Sequence, residues 1–240
     1  TSPVAISGAV SDVADGTILN ADLFVANGGA LTIPAGVTIT NNATVYNEGT
    51  VTVNGTFNNY SDHTFNNLSG ATLSISGTFN NGNVEATKHG ALINDGSIEV
   101  TTANSGSIYN YSDSTITNNS GSTFENGFMF VNYGQLNVMS GATFTHNYYL
   151  RNNGNIENAG SFIINASMDN GTSSYTYGAG TIKNTGSIKI NNGFTLQNYG
   201  DGEIDNKGSF ELDENASIQN LGTITTDRAF TGTGKVTTAT

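Results

Sequence analysis

The stretch Ile182-Lys183-Asn184-Thr185-Gly186-Ser187-Ile188-Lys189-Ile190 decides the fold of this chain. It returns as Ile204-Asp205-Asn206-Lys207-Gly208-Ser209-Phe210-Glu211-Leu212, shifted by 22 residues at every shared position. The common phrase is apolar-x-Asn-x-Gly-x-apolar-x-apolar. A fixed period of this size marks a repeat array in which each unit is one coil that cannot bury its apolar face alone.

Seven copies of the phrase centre on Asn47, Asn94, Asn132, Asn158, Asn184, Asn206 and Asn220. Apolar residues stand two before each Asn and four after it, as in Val45 and Val51 or Ile156 and Phe162. Six after, they recur in all copies but the last, which has Thr226. Strict period-two alternation is the strand signature, and no segment keeps helical spacing. Asn and Gly share the parity of the apolar residues, so both point inward at a corner between two short strands. Gly admits the turn without a Cβ clash, and stacked Asn amides can bond from coil to coil.

The steps set the coil. Asn132, Asn158 and Asn184 read as one column with 26-residue steps. Leu196-x-Asn198-x-Gly200 maps by 22 residues onto Ile218-x-Asn220-x-Gly222, which places Asn220 on a second face. Gly55-Thr56-Phe57-Asn58-Asn59 recurs as Gly77-Thr78-Phe79-Asn80-Asn81, and Asn59-Tyr60-Ser61-Asp62 recurs as Asn110-Tyr111-Ser112-Asp113. Steps of 22 to 26 residues predict an all-β parallel β-helix with three short strands per coil. The extra residues of the longer steps are expected to bulge from a corner between Ser167 and Tyr177. Eight or nine coils would give a rod on the order of 40 Å. Outward positions should form columns: Glu157, Lys183, Asp205; Ser161, Ser187, Ser209; and Ile163, Lys189, Glu211.

Composition narrows the class. Only 11% of residues are charged and 36% are hydrophobic, and the hydrophobic ones sit on a grid, unlike those of disordered chains. There is no Cys, so disulfides and thiolate metal sites are excluded. A net charge of −12 disfavours nucleic acid and anionic membrane surfaces. No run of about 18 apolar residues is present to span a bilayer as a helix. Thr1-Ser2-Pro3 suits the start of a mature chain after signal cleavage.

Three segments are expected: residues 1–30 as an N-terminal strand, cap or assembly segment, 31–226 as the solenoid, and 227–240 as its C-terminal counterpart. Pro34, lacking an amide donor, suits a corner or edge. Neither terminal segment reads as an amphipathic helix. An open solenoid end presents unpaired backbone groups that template further pairing. Folded-over termini would instead make irregular caps. Open ends predict head-to-tail association into a filament, with Val4, Ile6 and Val10 at one end and Phe230 and Val236 at the other as assembly residues.

The stretch Ala26-Asn27-Gly28-Gly29-Ala30-Leu31-Thr32-Ile33-Pro34-Ala35-Gly36-Val37-Thr38-Ile39 resembles the opening coil of secreted prokaryotic β-solenoid surface proteins. Later phrases such as Asn94-Asp95-Gly96-Ser97-Ile98 resemble their repeats. The resemblance covers residues 26–226 and rests on generic motifs. It implies a right-handed parallel β-helix and a secreted or cell-surface location. Such families include adhesins, surface-layer and filament proteins, and some polysaccharide-active enzymes.

Chemistry is sparse. Asp201, Glu203 and Asp205 alternate on one outward face, about 6.6–6.8 Å between neighbours. That spacing permits inverting glycosidase chemistry or, with Asp213 and Glu214, a calcium site. A solvated acidic edge explains them as well. No EF-hand or Gly-Gly-x-Gly-x-Asp calcium motif is present, and the 7 Lys and Arg residues are scattered. No catalytic residue and no cofactor are therefore expected, with calcium the one ion these carboxylates would suit. His63, His89 and His146 lack ligand spacing and read as corner or surface residues. Tyr46, Tyr60, Tyr109, Tyr111, Tyr133, Tyr148, Tyr149 and Tyr199 fall at or near corners, where rings pack locally, stack on sugars or meet a neighbouring rod. Asn-x-Ser/Thr acceptors occur at Asn42, Asn54, Asn59, Asn67, Asn110, Asn118, Asn165, Asn170 and Asn215. The expected function is a non-enzymatic extracellular structural protein whose partner is itself. A carbohydrate-binding or adhesive domain is the alternative, and a polysaccharide-degrading enzyme the third reading.

Overall fold

The computed structural model describes residues 2–60, 62–102, 105–172 and 178–238. Among them the chain forms three parallel sheets of eleven strands each and no helix. Every third strand joins the same sheet, so one coil contributes one strand to each face. The first sheet starts at Val4–Ile6, the second at Ala9–Val10 and the third at Thr17–Leu19. They end at Thr223–Thr226, Thr231–Gly232 and Lys235–Thr238. Both terminal segments thus extend the three-sheet arrangement beyond 31–226, and the rod is on the order of 50 Å long. All-β parallel solenoid architecture with three strands per coil follows from the alternation.

The repeating phrase spans two strands. Thr181–Asn184 lies in the first sheet, Gly186 makes the corner, and Ser187–Ile190 lies in the second. The inward residues form one continuous core from Ile6 to Ile218. Eight phenylalanines lie wholly inside it, including Phe57, Phe65 and Phe79, whose centroids are 5.3 to 5.7 Å apart. Such aromatic pairs add about 0.5–1.5 kcal/mol each beyond burial. A Cβ at Gly186 would lie 2.2 Å from the Gly160 carbonyl oxygen, so close backbone approach between coils requires Gly there.

The Asn residues are buried and build two ladders along the rod. On the third sheet, the Asn41 amide donates to Asn59, and the chain of bonds continues through Asn81, Asn110, Asn132, Asn152, Asn170 and Asn198 to Asn220, with N···O distances of 2.7–2.9 Å. On the first sheet, Asn47, Asn67, Asn94 and Asn118 form one run, and Asn158, Asn184 and Asn206 another. The second amide hydrogen goes to a backbone carbonyl at the next strand of the following coil, as from Asn184 to Ser209 at 2.9 Å. Both donors are thereby satisfied away from water, which removes the penalty of burying an amide. Every ladder bond points toward the C-terminal end. Partners are separated by as few as 18 residues, at Asn152 and Asn170, and as many as 29, at Asn81 and Asn110.

The column through Asn132, Asn158 and Asn184 needs correction. Asn132 lies on the third sheet, paired with Asn110 and Asn152. The column containing Asn158 runs Asn118, Val138, Asn158, Asn184. The phrase marks two corners of the same coil, so copies from different faces look alike, and Val138 conceals a shorter coil. The bulge expected at Ser167 to Tyr177 also starts later, because Met168–Asn170 is a strand; residues 173–177 lie outside the described set. The outward columns hold: Glu157, Lys183 and Asp205 are register partners, as are Ser161, Ser187 and Ser209, and Ile163, Lys189 and Glu211. Lys183 lies 3.8 Å from Glu157, and Lys189 lies 3.1 Å from both Glu211 and Asp213. The hydrogen bonds that Lys189 donates to Asp213, and then to Glu211, hold its pKa above the ordinary value.

Val138 breaks the first-sheet ladder and leaves the buried Asn158 Oδ1 without a donor. Its Cγ1 lies 3.1 Å from a Cβ built on Gly160, the place the Asn67 amide nitrogen takes beside Gly96. Val138→Asn is therefore expected to join the two runs. After loss of the buried methyls, the net gain should be about 1 kcal/mol, read as a higher urea midpoint with an unchanged m value. A lower midpoint would show that the gap is better filled by carbon.

Candidate functional site

Two regions stand out from the regular wall: the ends of the rod and one corner of its middle. At the N-terminal end, Val4 and Val10 are exposed, at 51% and 37%, and Ile18 is exposed beside them. Ile6, in contrast, is buried in the core and does not present its side chain at the end. At the C-terminal end Val236 is exposed, while Phe230 packs edge-on against Phe210 with centroids 5.1 Å apart. A recess of about 600 Å³ opens beside Lys235, lined also by Glu214, Asn215 and Thr233. The first coil carries Asp12, Asp15 and Asp22 and no basic residue, whereas the last carries Arg228 and Lys235 against Asp227. Asp15 and Asp22 also accept the backbone amides of Thr38 and Thr44, at 2.8 and 3.0 Å.

The second region is the corner between the third and first sheets. The residue after each ladder Asn falls in register there, its amide bonded to the preceding coil, as in Tyr133 to Asn110 and Asn153 to Asn132, both 2.7 Å. Tyr111, Tyr133 and Asn153 are consecutive members of this column. Tyr109 projects outward from its strand beside Tyr111 at 6.0 Å, and Tyr111 and Tyr133 are 6.1 Å apart, with interplanar angles of 18° and 14°. The segment from Asn83 to Lys88 projects at one end of this shelf. Asn83 Oδ1 accepts the amides of Thr87 and Lys88, and Lys88 lies 5.2 Å from the Tyr60 ring centroid. This loop holds Val84 out, at 80% exposure. Gly178 borders the other end. The resulting groove of about 530 Å³ is lined by Val84, Tyr109, Tyr111, Ser112, Tyr133, Asn153 and Gly178, none of them charged. Burial raises the Tyr111 pKa, with Tyr109, Tyr60 and Tyr133 adding to it.

Asn153 is the anomaly of the groove. It is 5% exposed, and neither Oδ1 nor Nδ2 has a hydrogen-bond partner. Each unmet group costs about 1–3 kcal/mol. Nothing in the sequence separates Asn153 from the neighbouring ladder residue Asn152, so it escaped notice there.

The remaining candidates are dispersed. Asp201, Glu203 and Asp205 line one stretch, but Asp205 pairs with Lys207 at 3.3 Å. No group of three or more His, Asp or Glu residues among the described residues is placed to hold a metal ion. His146 is not at the surface: it is wholly buried on the second sheet, in a column where its register partners are Asn126 on one side and Ile164 on the other. Five sequons also need correction. Asn59, Asn67, Asn110, Asn118 and Asn170 are interior ladder residues, and the folded chain offers none of their amides to a glycosyltransferase. Asn42, Asn54 and Asn165 are half-buried, Asn165 bonded to Asn147 and Asn191, and Asn215 is exposed. Tyr46, Tyr109 and Tyr149 sit within strands; Tyr60, Tyr111, Tyr133 and Tyr199 follow a ladder Asn; Tyr148 lies at the opposite corner, stacked on Phe128.

No family model matches this chain, and no curated protein does. Among solved structures, the chain matches a TibA fragment, hyper-glycosylated by TibC, at 18% identity and a TM-score of 0.24, over 97% of this chain and 94% of that one. A likeness this faint carries no argument about function. No helix among the described residues is long and apolar enough to cross a membrane.

Proposed function

We propose that this chain is a non-enzymatic structural protein of the extracellular space or cell surface, and that copies add end to end into a filament. The observation that carries this reading is the match between the two ends. Each end presents three parallel edge strands, and the second-sheet strand is two residues long at both, Ala9–Val10 and Thr231–Gly232. Thr223–Thr226 faces the lane of Val4–Ile6, and Lys235–Thr238 that of Thr17–Leu19. Parallel pairing across the junction would continue all three sheets and cover Val4, Val10 and Val236, which share the inward columns of Leu23, Leu31 and Ile218. The charges are opposite in sign, with an acidic first coil meeting Arg228 and Lys235. A contact between unlike ends does not close on itself, so it propagates.

Purified chain should form rods that lengthen with concentration, seen by negative-stain electron microscopy and as rising mass in light scattering. Charge reversal at Arg228→Glu with Lys235→Glu should suppress growth, most strongly at low salt. A single monomer peak at every concentration and salt, with no filaments, would falsify the proposal.

A further inference from the structure

We propose that the tyrosine-lined corner groove is a binding site for a neutral oligosaccharide. Three observations converge on it. First, Tyr109 and Tyr111 present adjacent rings with an interplanar angle of 18°, and aromatic rings are the surfaces on which the C–H faces of sugars rest. Second, the buried Asn153 offers one unmet acceptor and one unmet donor group. A carboxamide with both functions free is the complement of a pair of adjacent sugar hydroxyls, each of which donates and accepts. Third, none of the described residues that line the groove is charged, which favours a ligand without charge. Its volume of about 530 Å³ falls within the range of roughly 300–1,000 Å³ usual for small-ligand sites.

The fold accounts for how the site is built. Ladder bonds at Asn110, Asn132 and Asn152 hold three successive coils at fixed spacing. The residues that follow these Asn, namely Tyr111, Tyr133 and Asn153, therefore occupy fixed positions without help from a ligand. Val84 rises at one end of the shelf on a loop fastened by Asn83. A site set in this way requires little ordering on binding. The groove lies in the middle of the rod, so the proposal stands apart from association at the ends.

The test is to probe a printed array of neutral and acidic oligosaccharides with the full chain, then titrate the best neutral ligand by calorimetry. Neutral sugars should bind, and Tyr111→Ala and Asn153→Ala should each weaken binding by tenfold or more. Tyr148→Ala, at the opposite corner, should leave it unchanged. Asn153→Ala also carries a second readout. Because it deletes an unpartnered buried amide, its Tm should equal or exceed that of the wild-type chain while its affinity falls. A merely structural Asn would show loss of both. The proposal is overturned if no neutral sugar binds, if only acidic sugars bind, or if both variants bind as wild type. It is equally overturned if Tyr111→Ala abolishes self-association and no sugar competes with it, since the groove would then receive a second copy.

Discussion

Replacing Gly186 with alanine is expected to destabilise the protein by about 4 kcal/mol or more. The new Cβ would meet the Gly160 carbonyl oxygen at 2.2 Å and the Ala159 carbonyl carbon and oxygen at 2.5 and 2.6 Å. All three contacts are backbone, so no rotamer change relieves them. The coils must separate, and separation stretches the Asn158–Asn184 ladder bond, now 2.8 Å, together with the main-chain bonds beside it. Gly193, in the same coil, is the control: it has φ of +82° and nothing within 4 Å of a Cβ. Alanine there should cost only the strain of a left-handed residue, about 1–2 kcal/mol. Because each coil touches only its neighbours, Gly186→Ala should also divide the array. Urea unfolding should lose its single transition, and hydrogen exchange should quicken first on the two coils flanking residue 186. Equal effects at both positions would show that the coils do not approach as closely as described.

Acid should weaken the fold through His146. Its ring is buried, with Nδ1 3.2 Å from the Asn126 amide and Nε2 3.3 Å from the Ser167 carbonyl. This pairing fits a neutral ring that accepts at Nδ1 and donates at Nε2. Burial lowers its pKa to about 4, against a small upward pull from the Ser167 carbonyl. The unfolded chain, with an ordinary imidazole near 6.5, binds the proton more readily than the folded chain does. Stability is therefore full above about pH 6.5, falls as the pH drops toward 4, and levels off below it as far as this residue is concerned. The loss should amount to about 3 kcal/mol. His146→Asn would accept the Asn126 amide as other ladder residues do and cannot charge. Its Tm should stay flat between pH 6.5 and 4 where the wild-type Tm declines. Parallel decline in both proteins would assign the acid response to the carboxylates.

These two sites show where sequence reading succeeds and where it stops. The alternation around Asn184 and Asn206 was sufficient to place their side chains inside and to pair Lys183 with Glu157 and Asp205, because a strand has only two faces. It was insufficient to separate corners, because Asn132 and Asn158 obey one local pattern and only the partner coil distinguishes them. Val138 and His146 escaped for a related reason: each stands where a different residue type is the rule for its column. Asn153 was invisible because its peculiarity is the absence of a partner. Asn59 and Asn170, conversely, match a surface modification signal by composition while serving as internal struts.

The forward direction of the ladders has a mechanical corollary. Tension along the rod axis would load main-chain and Asn hydrogen bonds between coils in series. Such a body yields at its weakest junction and then peels. Steps of 18 to 29 residues per coil would each release a tether of roughly 60–100 Å when drawn straight. Under load the molecule would act as an extensible strap, lengthening in discrete increments while the unpeeled coils keep their shape.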